Sequence, residues 1–439
     1  MRSKGPSSSA EGTGEVANSI ALLPAGDRFE DFFDRIGVSL DDFRLQQSGG
    51  WLFNFVEGLR QQGIGTVLVF SSARVANTVR FVHQPSGARV CVLPAPKVHV
   101  KARNFASRRD PQSQAWFSIG SYLALSVSRL TRELRRYGCV ALLCQEFETP
   151  RFDVCVLMGK LLRLPVFATY QGAVEQHAGP EKLIRPLTVR GCAGLAIGAS
   201  VEIERVRARY RVPERKIGHI PNAVDVQLWS PGDRAEARSA LGIEPGAQVV
   251  SWHGRVQIKR KGLDLLMQAW HLLRAARADR DLRLLLIGWG RDGNLLREMI
   301  GNLPSPEEVV WIDRYVHDSN EIAGCLRAAD VYCLPSRHEG FAVAALEAMA
   351  CGLPVVASDV PGISDVFLDG RSSGGMIVPP GVPDELARAL GTLLDDSIRR
   401  NALGVAARRT VEEKFTIEEV GNQLWDFMRR RGVRDGSSS

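Results

Sequence analysis

No run of eighteen or more consecutive apolar residues occurs in the 439-residue chain, so the sequence offers no membrane-spanning helix. The opening segment MRSKGPSSSAEGTGEV has serine and glycine but no apolar stretch of signal-peptide length. Residues 1–16 are therefore expected to be a disordered tail, with no secretion. None of the eight cysteines, Cys91, Cys139, Cys144, Cys155, Cys192, Cys325, Cys333 and Cys351, belongs to a C-x-x-C pair, and most lie in apolar runs. That argues against a zinc ribbon or a disulfide framework and for reduced core thiols of a cytoplasmic protein. A P-loop, an internal repeat, a coiled-coil heptad and a D-x-D metal motif near the candidate cleft are also missing.

What is present is an ordinary globular composition, 45% hydrophobic and 24% charged, with length enough for two large cores. The net charge is +7, with basic residues gathered at Lys97 to Arg109, Arg129 to Arg136 and Arg429 to Arg431. Without interleaved aromatics these clusters do not read as a nucleic-acid surface. A solvated face is the plain reading of each; attraction to an anionic membrane surface or to anionic substrates is the sharper one.

Apolar runs alternate with amphipathic stretches along the chain. Strands are expected at Ser19 to Pro24, Thr66 to Phe70, Ala88 to Leu93, Val140 to Cys144, Val166 to Thr169 and Leu195 to Ile197. Helices are expected around Leu52 to Gln62, Trp116 to Tyr137 and Val154 to Leu162. Repetition of strand and helix in this order predicts a parallel sheet covered on both faces. The segment His219-Ile220-Pro221-Asn222-Ala223-Val224-Asp225, followed by Trp229, Pro231 and Gly232, reads as a boundary. Residues 17–225 then form a first Rossmann-like domain, 226–416 a second, and 417–432 a last helix returning to the first.

The stretch Val331 to Ser358 carries most of the functional signal. Val331 to Leu334 and Pro354 to Ala357 read as buried strands flanking a helix from Phe341 to Cys351, with Gly352 at its C-terminal end. Glu347 is the only charged residue between Gly340 and Ser358, so it must reach solvent or find a hydrogen-bonding partner. Glu339 lies eight residues earlier, in the loop at the carboxyl end of a strand, where open parallel sheets bind ligands.

This E-x7-E arrangement, set in S-x-x-E-G-F-x-x-x-x-L-E-A-M-A-x-G-x-P-V-V-A-S, resembles retaining glycosyltransferases of group 1 (family 4) with the GT-B fold, an α/β architecture of two Rossmann-like domains facing across a cleft. The resemblance implies that Glu339 approaches the transferred sugar and Glu347 binds the nucleotide's ribose. The helix start at Gly340, Phe341, Ala342 and Val343 would face the phosphates. In the G-R-x5-K-G segment Gly254-Arg255 to Lys261-Gly262, Arg255 and Lys261 would bind the diphosphate; their neighbours Lys259 and Arg260 read as solvated. Gly49 and Gly50 resemble the paired glycines near the donor phosphates in the first loop. The G-x-G at Gly288 would line the nucleotide cleft; read alone, Gly288-x-Gly290-x-x-Gly293 proposes a nicotinamide or flavin enzyme, but it does not follow the first strand of its domain. Asp313 to Val316 would lie beside the nucleobase.

On the acceptor side, many relatives carry a histidine before the glycine that is Gly172 here, and Gln171 takes that place. His177, Glu146 and Glu148 are the remaining candidates there. The implied activity is transfer from a UDP- or GDP-sugar to a sugar or lipid-linked acceptor with retention of configuration, needing neither metal nor covalent nucleophile. An isomerase or phosphorylase on the same scaffold, or a silent partner subunit, are the alternatives.

Overall fold

The computed structural model describes residues 18–46, 50–105, 119–170, 172, 180–367 and 373–434. The first half is built on β1 (Ser19–Leu23), β2 (Gly65–Ser72), β3 (Val79–Val82), β4 (Arg89–Pro94), β5 (Cys139–Cys144), β6 (Val166–Thr169), β7 (Gly194–Ile197) and β8 (Ile217–His219). They pair in the order β3-β4-β2-β1-β5-β6-β7-β8, parallel except for the β3/β4 pair. The second half is built on β9 (Gln248–His253), β10 (Leu282–Ile287), β11 (Val309–Ile312), β12 (Val331–Leu334), β13 (Val355–Ser358) and β14 (Gly375–Val378). Its order is β11-β10-β9-β12-β13-β14, all parallel.

These strands form where they do because short β-branched and leucine-rich runs stop at residues that cannot continue them: Pro335 after β12, Gly288 after β10. Apolar side chains cover both faces of each sheet, as an all-parallel sheet requires. Trp252 and Trp270 are fully buried on one face of the second sheet, and burial of a side chain that size contributes on the order of 2–3 kcal/mol. The order of the second sheet reverses between β9 and β12, and that of the first between β1 and β5. Each reversal opens a crevice at the strands' carboxyl ends.

The chain crosses between the halves twice, side by side: Val224 N–H donates to Phe415 O at 2.8 Å. After the second crossing, the helix Ile417–Arg430 buries Val420, Leu424, Trp425, Phe427 and Met428 in the core formed with Ile20, Phe55 and Leu59 of the first half. Among the described residues no helix is long and apolar enough to cross a membrane.

A second bond between the halves is polar. Asp365, 4% exposed, accepts from Ser200 N–H at 3.0 Å and Ser200 Oγ at 2.5 Å, satisfying the N-terminal turn of the helix Ser200–Tyr210 from the other half. His219 Nε2 lies 3.5 Å from the same carboxylate and 2.9 Å from Gly198 O. Its bond to Asp365 raises the His219 imidazole above the ordinary 6.5, while the bonds from His219 and Ser200 outweigh burial and hold Asp365 below 3.8. A raised histidine contributes its full share below pH 6.5 and loses it as pH rises through the raised value. The melting-temperature gap between wild type and His219→Gln should therefore close as pH is taken from 6 to 9 (roughly the span of histidine titration). A constant gap would remove His219⁺ from the contact.

Two expectations need correction, and two strands were not expected. The helix expected over Trp116 to Tyr137 is broken within the described residues: 119–122 are helical, a turn and the extended Ser126 follow, and Val127–Arg136 is the next helical segment. The helix expected from Phe341 starts at Val343, since Ala342 (φ −81°, ψ 64°) is not helical and gives its N–H to Gly362 O at 3.2 Å. The edge strands β3 and β8 had no expectation. β3 is largely exposed, β8 is only three residues long and mostly half-buried, and neither shows an alternation of apolar residues. Residues 1–16 lie outside the described residues.

Candidate functional site

The crevice between β9 and β12 gathers the residues the sequence singled out. Beyond β9 the chain makes the short helix Ile258–Lys261, which ends at Gly262 in the left-handed region (φ +66°). A Cβ at Gly262 would lie 1.8 Å from Pro335 O, so only glycine lets this turn press against the loop after β12. The contact brings Lys261 Nζ to 2.8 and 2.9 Å from the two oxygens of Glu339. Ser336 Oγ donates to Glu339 Oε1 at 2.6 Å. With Glu339 only 6% exposed, this ion pair is what makes its charge tolerable there.

Glu347 has found a protein partner. His253 Nε2 is 2.8 Å from Glu347 Oε2, and both side chains are largely enclosed, at 6% and 15% exposure. The sequence required some partner for this carboxylate but gave no sign of which, because the two residues stand 94 positions apart.

Arg255 differs from Lys261 in having no carboxylate partner among the described residues. Its guanidinium lies 6.0 Å from the ring centre of Phe32, which belongs to the first half, so the side chain spans the crevice. The surrounding protein atoms, then the charges of Arg260 and Arg35, pull it below the ordinary arginine value. His338 is lowered likewise, by burial and then by Arg260. Arg260 was expected to be solvated like Lys259; Lys259 is, but Arg260 is half-buried, its Nε without a hydrogen bond. It faces the first half where Gly172 (φ +88°) and Gly340 meet: a Cβ on Gly172 would stand 2.8 Å from Gly340 Cα and 3.4 Å from Arg260 Nη2. Arg255, Arg260 and Arg35 thus concentrate positive charge, unneutralised by carboxylates, on one side of the crevice, a setting that favours a polyanion.

The remaining expected residues fall as follows. Gly288 packs against the carbonyl of Gly254, and Gly254 N–H donates to Ile287 O at 3.0 Å, so the G-x-G loop braces the Arg255 loop. Val316 is buried in the core of the second half. Phe341 is buried against Gly198 of the first half and 6.1 Å from the Phe415 ring, while Val343 packs on the same core and gives its N–H to Phe341 O. Gly50 begins the helix Gly50–Gln61. Gly49, Gln171 and His177 lie outside the described residues.

At the carboxyl end of β5, Glu146 is buried in the left-handed region at φ +64°, a conformation that costs a non-glycine residue about 1 kcal/mol or more. Arg205 bonds both Glu148, at 2.5 Å, and Glu202. Burial, then Glu148 and Glu146, push Glu202 up to about 8 against the lowering effect of its hydrogen bond with Tyr170, so one guanidinium serves two carboxylates of which one holds its proton near neutrality. Glu202 had not been singled out; on a helix with ordinary charge spacing it carries no sequence signal.

Residues 247–396 match the family model described as "Glycosyl transferases group 1". That match lies wholly within the second half. Over 221 residues the chain is 35% identical to D-inositol 3-phosphate glycosyltransferase of Pseudarthrobacter chlorophenolicus, spanning 50% of this chain and 51% of that one. Over 220 residues it is 32% identical to the GDP-mannose-dependent monoacylated alpha-(1-6)-phosphatidylinositol monomannoside mannosyltransferase of Corynebacterium glutamicum, spanning 48% and 55%. The chain thus spans about half the length of the curated relatives it matches. The fold of Anabaena HepE, solved in complex with UDP, superposes with a TM-score of 0.69 at 16% identity, over 94% of this chain and 100% of that one. The chain therefore has the GT-B fold, and the crevice between β9 and β12 in its second half opens toward the first half.

Proposed function

We propose that the protein transfers a sugar from a UDP- or GDP-sugar to a sugar or lipid-linked acceptor, with retention at the anomeric carbon. The observation that carries this reading is the meeting of Lys261–Glu339, His253–Glu347 and the unpaired Arg255 at one crevice of the second sheet. In this reading the diphosphate lies between Arg255 and Lys261, and Glu347 binds the ribose. Glu339, released from part of its pairing as Lys261 turns to the phosphates, binds the sugar. The bond from the anomeric carbon to the β-phosphate oxygen breaks as the acceptor oxygen bonds on the same face, and the acceptor's proton leaves with the diphosphate. The fixed cations stabilise the charge that develops on that oxygen. The GDP-mannose-dependent name of the Corynebacterium relative and the UDP complex of HepE support a nucleotide-sugar donor. Arg129, Arg132, Arg135 and Arg136 on the helix Val127–Arg136 support docking at an anionic membrane surface on the cytoplasmic side.

A screen of UDP- and GDP-sugars for nucleotide release, with and without sugar, sugar-phosphate and phosphoinositide acceptors, tests the reading. One donor class should release nucleotide in an acceptor-dependent way, with the product's anomeric configuration matching the donor's. No release from any donor, or an inverted product, would overturn it.

A further inference from the structure

His253 is held more firmly than a residue at a strand end needs to be. Its backbone N–H donates to the fully buried Tyr332 Oη at 3.4 Å, and the Tyr332 hydroxyl donates back to His253 O at 3.3 Å. Its ring stacks against Trp229, with centroids 6.1 Å apart and planes 23° from parallel. Nε2 meets Glu347 Oε2, while Nδ1 is buried without a hydrogen bond. A proton on Nδ1 would be a buried unsatisfied donor, so the ring carries its hydrogen on Nε2 and gives it to the carboxylate. Oε2 is thereby occupied. Glu347 Oε1 takes no hydrogen bond among the described residues, and the carboxylate cannot turn without breaking the bond to a ring that is itself fixed.

We propose that His253 is a positioning residue that presents one oxygen, Oε1, of Glu347 to the ribose hydroxyls of a nucleoside diphosphate. This rests on the donor reading above. An alternative role, in which the pair only ties β9 to the helix Val343–Ala350, makes a different prediction about ligands: it lowers stability without changing how ribose is distinguished from a sugar lacking its hydroxyls.

Calorimetric titration of the full chain with UDP and GDP, and with their 2′,3′-dideoxy counterparts, separates these. Wild type should prefer the ribose form by about tenfold or more, because a site built to bond hydroxyls rejects the analogue lacking them. His253→Ala should bring the preference to within about threefold, and His253→Gln, whose amide N–H can take the place of Nε2–H, should retain most of it. His253→Leu fills the ring's volume and serves as the null variant if the alanine protein does not fold. A preference that survives in the alanine or leucine protein overturns the positioning role and leaves the donor reading intact. A wild-type protein with no preference, or a Glu347→Ala protein that binds nucleotide as wild type does, removes the donor reading of Glu347 and this proposal with it.

Discussion

Lys261→Ala is expected to lower donor turnover by at least about a hundredfold, the usual cost of removing a preorganised group that stabilises developing charge. The structure adds a second effect. Lys261 neutralises Glu339, which is 6% exposed and would keep only Ser336 Oγ as a partner, so the variant should also melt earlier. A loss of activity could then be blamed on the fold. Assaying Lys261→Ala well below its own melting temperature separates the two: the protein is folded there, and turnover should still be low. Wild-type turnover under those conditions would mean that Lys261 acts only as the partner of Glu339.

The largest expected effect on stability lies in the first half. Asp153 and Arg185, both 0% exposed, pair through Nε at 2.9 Å and Nη2 at 3.0 Å. Tyr122 donates to the same carboxylate at 2.8 Å, and Thr188 Oγ1 donates as well. The network joins the helices Pro150–Leu162 and Glu181–Gly191. Asp153→Ala would leave a guanidinium in the interior with no opposite charge, at a cost of about 3–5 kcal/mol out of a total that is typically about 5–15 kcal/mol. The urea midpoint should fall accordingly. Asp153→Leu with Arg185→Leu, which removes both charges, should recover most of the loss. If Asp153→Ala unfolds at the wild-type midpoint, the pair is not the keystone of that layer.

The sequence made the architecture legible wherever an apolar run met a residue that could not extend it. β12, ended by Pro335, and β13, which follows Gly352, were placed within a residue or two, and the last helix was expected to return to the first half, where it does pack. β3 and β8 escaped because edge strands of three or four residues are too short to show a periodicity. The start of the helix after Gly340 was misjudged by two residues since neither Phe341 nor Ala342 carries a capping side chain; the boundary is set by Gly362 from another loop.

The site divided in the same way. Local motifs gave Glu339, Glu347, Arg255 and Lys261, but not how they pair. Lys261 and Glu339 are 78 residues apart, and their bond depends on Gly262 lying against Pro335. His253 had no local signal because a histidine closing an apolar strand reads as a core residue, and Arg260 read as one more surface cation in a basic run. Glu202 and the Asp153–Arg185 pair have meaning only once helices distant in sequence are packed together.

The central claim is that one crevice of the second half binds a nucleoside diphosphate through Glu347 and the cations facing it. Calorimetry of wild type and Glu347→Ala with UDP and GDP puts that to the most direct test. One of the two nucleotides should bind wild type with one-to-one stoichiometry and bind Glu347→Ala at least about tenfold more weakly, as loss of a charge-assisted hydrogen bond implies. Wild-type protein that takes up neither nucleotide, or a folded Glu347→Ala protein of unchanged affinity, would contradict it.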